Sequence, residues 1–287
     1  IDKYNAFDGY SIIYSQSIIS RLKYMNSIKP DVIYINSLFS SFSLSLFLYS
    51  VFCCKKSLRI IAPRGELGSG ALAIKNTKKK IFLFIFCKLR LSAYTKFHST
   101  SIGEYNDILN NVGSKSLIIS NIPFSIKFKS CSIKKSGEAR LLYLSRISKK
   151  KNLHLAIESL KKITNYRIVY DIYGPIEDLK YWEMCKKIIA LLPSNILVNY
   201  CGEVERERIS TVFHGYHGFL FPTANENYGH AIIESMQCGV LPIISDQTPW
   251  DDLESLNVGW SVPIHDKSYL INSIKLIALL DQNKFNQ

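Results

Sequence analysis

Two glutamates, Glu226 and Glu234, stand with seven residues between them in PTANENYGHAIIESMQCG (222–239), and Gly229 lies between the two, just ahead of a run with helical spacing. A helix beginning near Gly229 or His230 offers unpaired N–H groups and a partial positive charge, which together make a seat for phosphate. Glycine at that point lets a ligand come close to the backbone. Helical side chains lean back toward the N-terminus, so Glu234, about one and a half turns in, points toward a bound anion rather than away from it. A carboxylate there can accept from vicinal hydroxyls such as those of a ribose. Glu226, ahead of the helix, can accept from hydroxyls on the other side of the phosphates. An anion with a polyol on each side is the layout of a nucleoside diphosphate sugar.

Upstream, LYLSRISKKK places Arg146 directly after an apolar run, followed by Lys149, Lys150 and Lys151. Arginine offers a fixed fork for phosphate oxygens and lysine a mobile point charge. Together they can stabilise charge growing on a departing diphosphate, a task that other enzymes give to a metal. The sequence has no DxD and no His/Asp cluster with ligand spacing, so neither a metal nor a cofactor is expected. Each of these residues has a plainer reading when taken singly. Glu234 is a charge favoured near a helix start, worth about 0.3–1 kcal/mol, and Arg146 with its lysines is a solvated turn. Their joint position at successive strand ends favours the functional reading.

The elements that must position these residues alternate. In the first half a helix is expected near 11–27, a strand at DVIYIN, a helix at about 38–52, a strand at RIIAP (59–63) and a basic helix at about 71–93. A strand end at FHSTS (97–101), a helix at IGEYNDILNN (102–111) and a strand at SLIIS (116–120) follow. SIKFKSCSIKKSGE (125–138) is polar, basic and without period, and reads as a linker. The second half repeats the pattern: strands at 139–145, 166–174, 196–202, 218–223 and 240–245, and helices at 152–163, about 177–191, ERERISTVFH, the segment after Gly229, and 268–280. Strands alternating with helices give a parallel sheet covered on both faces, with ligands bound beyond the carboxyl ends of the strands. The expected organisation is a first domain over 1–124, a linker over 125–138 and a second domain over 139–287.

Length and composition agree with two packed domains: 287 residues, of which 47% are hydrophobic. The net charge of +13 is lopsided, with 20 Lys/Arg against 7 Asp/Glu over residues 1–138 and 16 against 16 thereafter. No acidic residue occurs between Leu67 and Gly103, where Lys75, Lys78, Lys79, Lys80, Lys88, Arg90 and Lys96 fall. Such a field attracts phosphates, acidic glycans, nucleic acid or anionic lipid, or is simply a solvated basic face. Seven cysteines with no CxxC pair argue against a disulfide framework or zinc site, and most are expected as small core residues in a reducing compartment. The uncharged stretch 32–54 is long enough for a membrane span, but its six serines and strand-like start favour a buried strand followed by a buried helix. The chain begins with Ile1, and a fragment of a longer protein is expected.

These residues resemble a known family. LSRISKKKNLHLAI, IYGP, NYCGEV, PTANENYGHAIIESMQCGVLPIISD, SDQTPWDDL and NVGW are similar to the donor-binding domain of group 1 (family four) glycosyltransferases. IIAPRGELGSGAL and HSTSIGEYNDI resemble the variant found in bacterial polysaccharide enzymes. The resemblance implies an α/β GT-B fold, two Rossmann-like domains whose parallel sheets face across a cleft, with the first domain incomplete here. It implies a metal-independent, configuration-retaining transfer from a nucleotide-sugar donor to a glycan or lipid-linked acceptor in bacterial capsule, lipopolysaccharide or exopolysaccharide synthesis. Carried over by position, Arg146 and Lys151 bind the donor diphosphate and Glu226 orients the donor sugar. The Gly229–His230 backbone meets the phosphates, Tyr228 belongs to the donor-binding residues, and Glu234 holds the ribose. Gly202, Glu203 and Val204 lie where the base is held. Arg64 and Gly65 stand where many relatives carry His–Gly, facing the transferred sugar.

A cytoplasmic protein is therefore expected, held at the inner face of the membrane by its basic first half. Three other readings use the same residues differently. A sugar-nucleotide epimerase of this fold needs no acceptor, a non-catalytic partner subunit binds little nucleotide, and a nucleic-acid binder rests on charge alone, without the aromatic–basic interleaving that would support it.

Overall fold

The computed structural model describes residues 3–7, 10–14, 17–73, 76–122 and 133–286. The chain forms two compact units, Ile1–Asn121 and Ile122–Gln287. In the first, β1 (Lys3–Phe7) and β2 (Tyr10–Tyr14) pair antiparallel. The rest is α1 (Ile18–Ile28), β3 (Val32–Asn36), α2 (Ser41–Cys53), β4 (Leu58–Ala62), α3 (Ser69–Ala73), α4 (Asn76–Lys88), β5 (Lys96–Ser99), α5 (Ile102–Val112) and β6 (Ser116–Ile118). Strands β3-β4-β5-β6 form a parallel sheet in sequence order. Helix starts follow from capping: Ser40 Oγ accepts from Ser43 N at 3.0 Å ahead of α2, and Ser101 Oγ from Glu104 N at 3.2 Å ahead of α5. Gly113, at φ +71°, closes α5 in the left-handed region.

Several sequence expectations change. The helix expected from residue 11 begins only at Ile18, because YSIIY, rich in β-branched and aromatic residues, pairs with the neighbouring KYNAF instead. The basic helix expected over 71–93 is divided into α3 and α4 and ends at Lys88, with a 3₁₀ turn at Leu91–Tyr94. The uncharged stretch 32–54 is β3 and α2, but neither is buried as expected: each is covered on one face only, with Val32, Tyr34, Phe42 and Phe52 exposed. Among the described residues no helix is long and apolar enough to cross a membrane. The cysteines divide: Cys185 and Cys238 are buried, Cys54 is half-buried, and Cys53, Cys87 and Cys201 are exposed. Cys201 lies on an edge strand and Cys53 at a helix end, where one face stays open. Cys131 falls outside the described residues.

The second unit contains β7 (Glu138–Leu144), α6 (Leu153–Leu160), β8 (Arg167–Tyr173), α7 (Leu179–Ile189), β9 (Ile196–Gly202), α8 (Ile209–Phe213), β10 (Gly218–Phe221), α9 (His230–Gln237), β11 (Leu241–Ser245), β12 (Trp260–Val262), α10 (Lys267–Leu279) and α11 (Gln282–Asn286). Its parallel sheet runs β12-β11-β10-β7-β8-β9. The central strands are apolar on both faces, as a doubly covered sheet requires: Leu141, Leu142, Tyr143, Ile168, Ile172, Phe219, Leu220, Ile243 and Ile244 are fully buried. β12 and α11 add to the elements expected from sequence. Of the stretch read as linker, 125–132 lie outside the described residues, and the remainder packs onto this unit. Buried Lys134 donates from Nζ to the carbonyls of Glu138 at 2.6 Å, Leu280 at 2.8 Å and Ala278 at 3.2 Å. It thereby caps the carboxyl end of α10, where a cation suits the helix dipole.

At the amino edge of this sheet, buried His217 accepts from Arg140 N through Nδ1 at 2.9 Å. Burial pushes its pKa down from 6.5 to about 4. Between those values the unfolded chain binds a proton that the folded chain refuses, so stability is full above pH 6.5 and falls as pH drops toward 4. The loss expected at pH 5 is about 2 kcal/mol. Thermal melts from pH 7 to pH 5 should show this slope, and His217→Leu should flatten it while lowering the melting temperature at pH 7. An unchanged slope in the variant would place the acid sensitivity elsewhere.

Candidate active site

The strand order of the second unit fixes where a ligand can enter. The chain winds from β7 outward through β8 to β9, then returns to the other side of β7 and winds outward through β10, β11 and β12. Helices α6, α7 and α10 pack together, and α8 packs with α9. The connections leaving β7 and β10 therefore diverge, and a crevice opens between the carboxyl ends of these two strands. The loop after β7 carries Arg146 and Lys151, and the loop after β10 carries Glu226 and Gly229.

Lys151 and Glu226 meet in that crevice. Lys151 Nζ donates to Glu226 Oε1, with both side chains largely covered, and lies 5.5 Å from the Phe221 ring centroid. The backbone holds them in place. Ala224 N donates to Lys150 O at 2.9 Å and Glu226 N to Gln247 O at 3.1 Å, so the β7, β10 and β11 loops are tied together. Lys149–Lys151 form a 3₁₀ turn that ends at Asn152, a residue at φ +51°.

Arg146, expected beside Lys151, points elsewhere. Its Nη1 lies 2.9 Å from Glu177 Oε1 on the α7 side, and both side chains are about half exposed. An exposed pair of this kind is worth roughly 0–1 kcal/mol, so the guanidinium is readily released to another anion.

α9 begins at Gly229, whose φ of +73° and ψ of +61° lie in the left-handed region. No side chain caps the start of this helix, which leaves its amino end open to a ligand. Ile232 N donates to Gly229 O at 2.9 Å. A Cβ at residue 229 would approach Ile232 Cδ1 to 2.6 Å. Tyr228 and His230 flank the glycine with rings 4.9 Å apart. Glu234 is buried on the second turn; burial raises its carboxyl pKa, while Arg206 and His230 pull it back. Arg206 follows β9, so the connection that carries Gly202, Glu203 and Val204 reaches toward the same helix. Gly202 O accepts from Gly174 N at 2.8 Å, joining the β8 and β9 ends.

Three contributors escaped the sequence reading. Trp250 Nε1 donates to Tyr228 O at 2.6 Å and fixes the turn into α9. Its segment, SDQTPWDDL, was visible, but the bond across space was not. Gly174 sits under the Ser145–Arg146 turn, and Arg206 faces Glu234.

Arg64 and Gly65 belong to the first unit, at the carboxyl edge of its own sheet. Arg64, at φ +54°, has its guanidinium tied to Asn36 Oδ1 at 3.0 Å, Asn121 Oδ1 at 2.6 Å and Tyr34 Oη at 3.2 Å. Gly65 N donates to Oε1 of buried Glu104 at 2.8 Å.

The family described as Glycosyl transferases group 1 matches residues 126–286, more than half of the chain. The chain belongs to this family. Solved structures share the fold at low identity. The lipopolysaccharide outer core galactosyltransferase WaaB, in its apo form, aligns with a TM-score of 0.64 at 14% identity, covering 92% of this chain and 71% of that one. A TarM mutant from S. aureus, in complex with fondaparinux, alpha-GlcNAc-glycerol and UDP, aligns at 0.69 and 16% identity, covering 93% of this chain and 53% of that one. Anabaena HepE, in complex with UDP-glucose, aligns at 0.67 and 15% identity, covering 94% and 79%. No curated protein sequence matches the chain. This group 1 chain thus has the α/β fold, with parallel sheets, of the GT-B glycosyltransferases, and it spans about half the length of TarM.

Proposed function

We propose that this group 1 glycosyltransferase moves a sugar, with retention of configuration, from a nucleoside diphosphate sugar to a glycan or lipid-linked glycan acceptor of a bacterial surface polysaccharide. One observation carries the reading: the Lys151–Glu226 pair stands at the crevice of a doubly wound sheet, beside the uncapped start of α9. The diphosphate is seated on the backbone at Tyr228, Gly229 and His230, with Lys151 and a released Arg146 as counter-charges. Glu226 orients the hydroxyls of the donor sugar, Glu234 accepts from the ribose, and Gly202, Glu203 and Val204 border the base.

In the reaction the bond between the anomeric carbon and the diphosphate oxygen breaks, and its electron pair leaves with the diphosphate. The acceptor hydroxyl forms the new glycosidic bond, and its proton passes to the departing phosphate. Lys151, Arg146 and the α9 amides stabilise the charge that develops. The relatives' own ligands, UDP with TarM and UDP-glucose with HepE, fit this donor chemistry.

The test is product analysis by NMR, with single nucleoside diphosphate sugars and surface-glycan acceptors. The expected result is a new glycoside that keeps the donor's anomeric configuration, with nucleoside diphosphate released in equal amount. Conversion of the donor sugar without any acceptor would mean an epimerase instead, and an inverted linkage would overturn retention.

A further inference from the structure

The outer face of α4 presents apolar residues to solvent. Its inner residues Leu83 and Phe86 are buried in the core of the first unit, with Phe86 5.9 Å from Phe47 and 6.5 Å from Phe97 between ring centroids. Outward, Ile81, Phe84 and Ile85 are 56%, 65% and 48% exposed, and Leu89, just past the helix, is 60% exposed. Their spacing of i, i+3, i+4 and i+8 makes one continuous stripe. Isolated exposed apolar residues are ordinary on a protein surface; a stripe of four marks a contact. At 3.6 residues per turn Lys78 stands in line with the stripe at its amino end and Lys80 falls on its flank. Lys88, with Nζ 5.8 Å from the Phe84 ring centroid, and Arg90 lie at its far end.

We propose that α4 docks the chain on an anionic lipid bilayer, with the apolar stripe in the headgroup–acyl boundary and the lysines against lipid phosphates. An apolar stripe flanked by lysines is what an interfacial helix needs, and anionic lipid supplies both complements at once. A second copy of the chain is a poor occupant: pairing two α4 faces would bring Lys78, Lys80, Lys88 and Arg90 against their own duplicates, and no acidic residue between Leu67 and Gly103 could offset them. A nucleic acid would engage the lysines but leave Phe84 and Ile85 without a partner. The inference builds on the reading above by naming the surface that holds the enzyme beside a lipid-linked acceptor.

Co-sedimentation with vesicles of phosphatidylcholine alone, or mixed with phosphatidylglycerol, tests it. The wild type should bind the anionic vesicles more tightly, on the order of tenfold or more. A variant carrying both Phe84→Ser and Ile85→Ser should lose on the order of tenfold in that binding. Replacement of Lys78, Lys80 and Lys88 by Gln should remove the preference for anionic lipid. Both variants alter exposed residues of the first unit, whereas the donor crevice is built from the second, so their circular dichroism and nucleoside diphosphate binding should match the wild type. Equal wild-type binding to both vesicles, or full binding by the serine variant, would overturn the proposal. So would stripe-dependent dimerisation without lipid in the ultracentrifuge. Vesicle binding in a protein that binds no nucleoside diphosphate would count against the donor site and leave this proposal standing.

Discussion

Lys151→Met should lower turnover by about a hundredfold or more, the loss typical when one stabilising donor is removed from a developing oxyanion. Methionine keeps an unbranched stem against Phe221 but removes the Nζ that donates to Glu226 Oε1. Two consequences separate a role in charge stabilisation from a packing role. The melting temperature should fall by only about a few degrees, because the pair, though largely covered, borders the crevice rather than the core, and a loss of that size cannot account for a hundredfold drop in turnover. Glu226→Gln should also impair turnover, yet bind free nucleoside diphosphate nearly as well as the wild type, because Glu226 serves the sugar rather than the phosphates. Initial-rate kinetics with single donors, set beside thermal melts, would show this split. Near-normal turnover by Lys151→Met would remove Lys151 from the chemistry.

Gly174→Ala should cost about 3 kcal/mol or more, which for a domain of this size is a fall of roughly 6–12 °C in melting temperature. Gly174 sits at φ +130°, a conformation essentially restricted to glycine. A Cβ there would lie 2.0 Å from Ser145 O and 2.7 Å from Ser145 C, and backbone cannot swing aside as a flexible side chain can. The strand ends around it are locked: Ser145 N donates to Tyr173 O at 3.1 Å and Ile147 N to Pro175 O at 2.8 Å. Any shift therefore moves Arg146 on one side and, through the bond from Gly174 N to Gly202 O, the Gly202–Val204 segment on the other. Scanning calorimetry should show the destabilisation, and titration with nucleoside diphosphate should show weaker binding. A melting temperature within about 1 °C of the wild type would mean that β7 and β8 do not approach this closely.

Much of this was legible in the sequence, because it is local. The apolar runs of β7, β8, β10 and β11, the helix start at Gly229 and the pairing of strand ends with charged loops all follow from residue type and short-range spacing. What escaped depends on neighbours across space. YSIIY became a strand because KYNAF lies beside it. WSV became β12 because β11 offers an edge, with Ile243 opposite Trp260. The order β12-β11-β10-β7-β8-β9 brings Lys151 to Glu226, which is 75 positions away, and no periodicity encodes it. The same order sends Arg146 to Glu177, although Arg146 lies much closer in sequence to Lys151. Trp250 and Gly174 were readable as residues but not as supports, since the groups they hold lie on other loops.

The central claim is that the crevice between β7 and β10 binds a nucleoside diphosphate, with its ribose on Glu234. It is tested most directly by calorimetric titration of the chain with UDP, GDP and ADP in turn, repeated with Glu234→Ala. The expected result is saturable binding of one of the three, weakened on the order of tenfold in the variant, as the loss of a charge-assisted hydrogen bond implies. Binding of none of the three by a chain shown to be folded, or equal binding by wild type and Glu234→Ala, would contradict it.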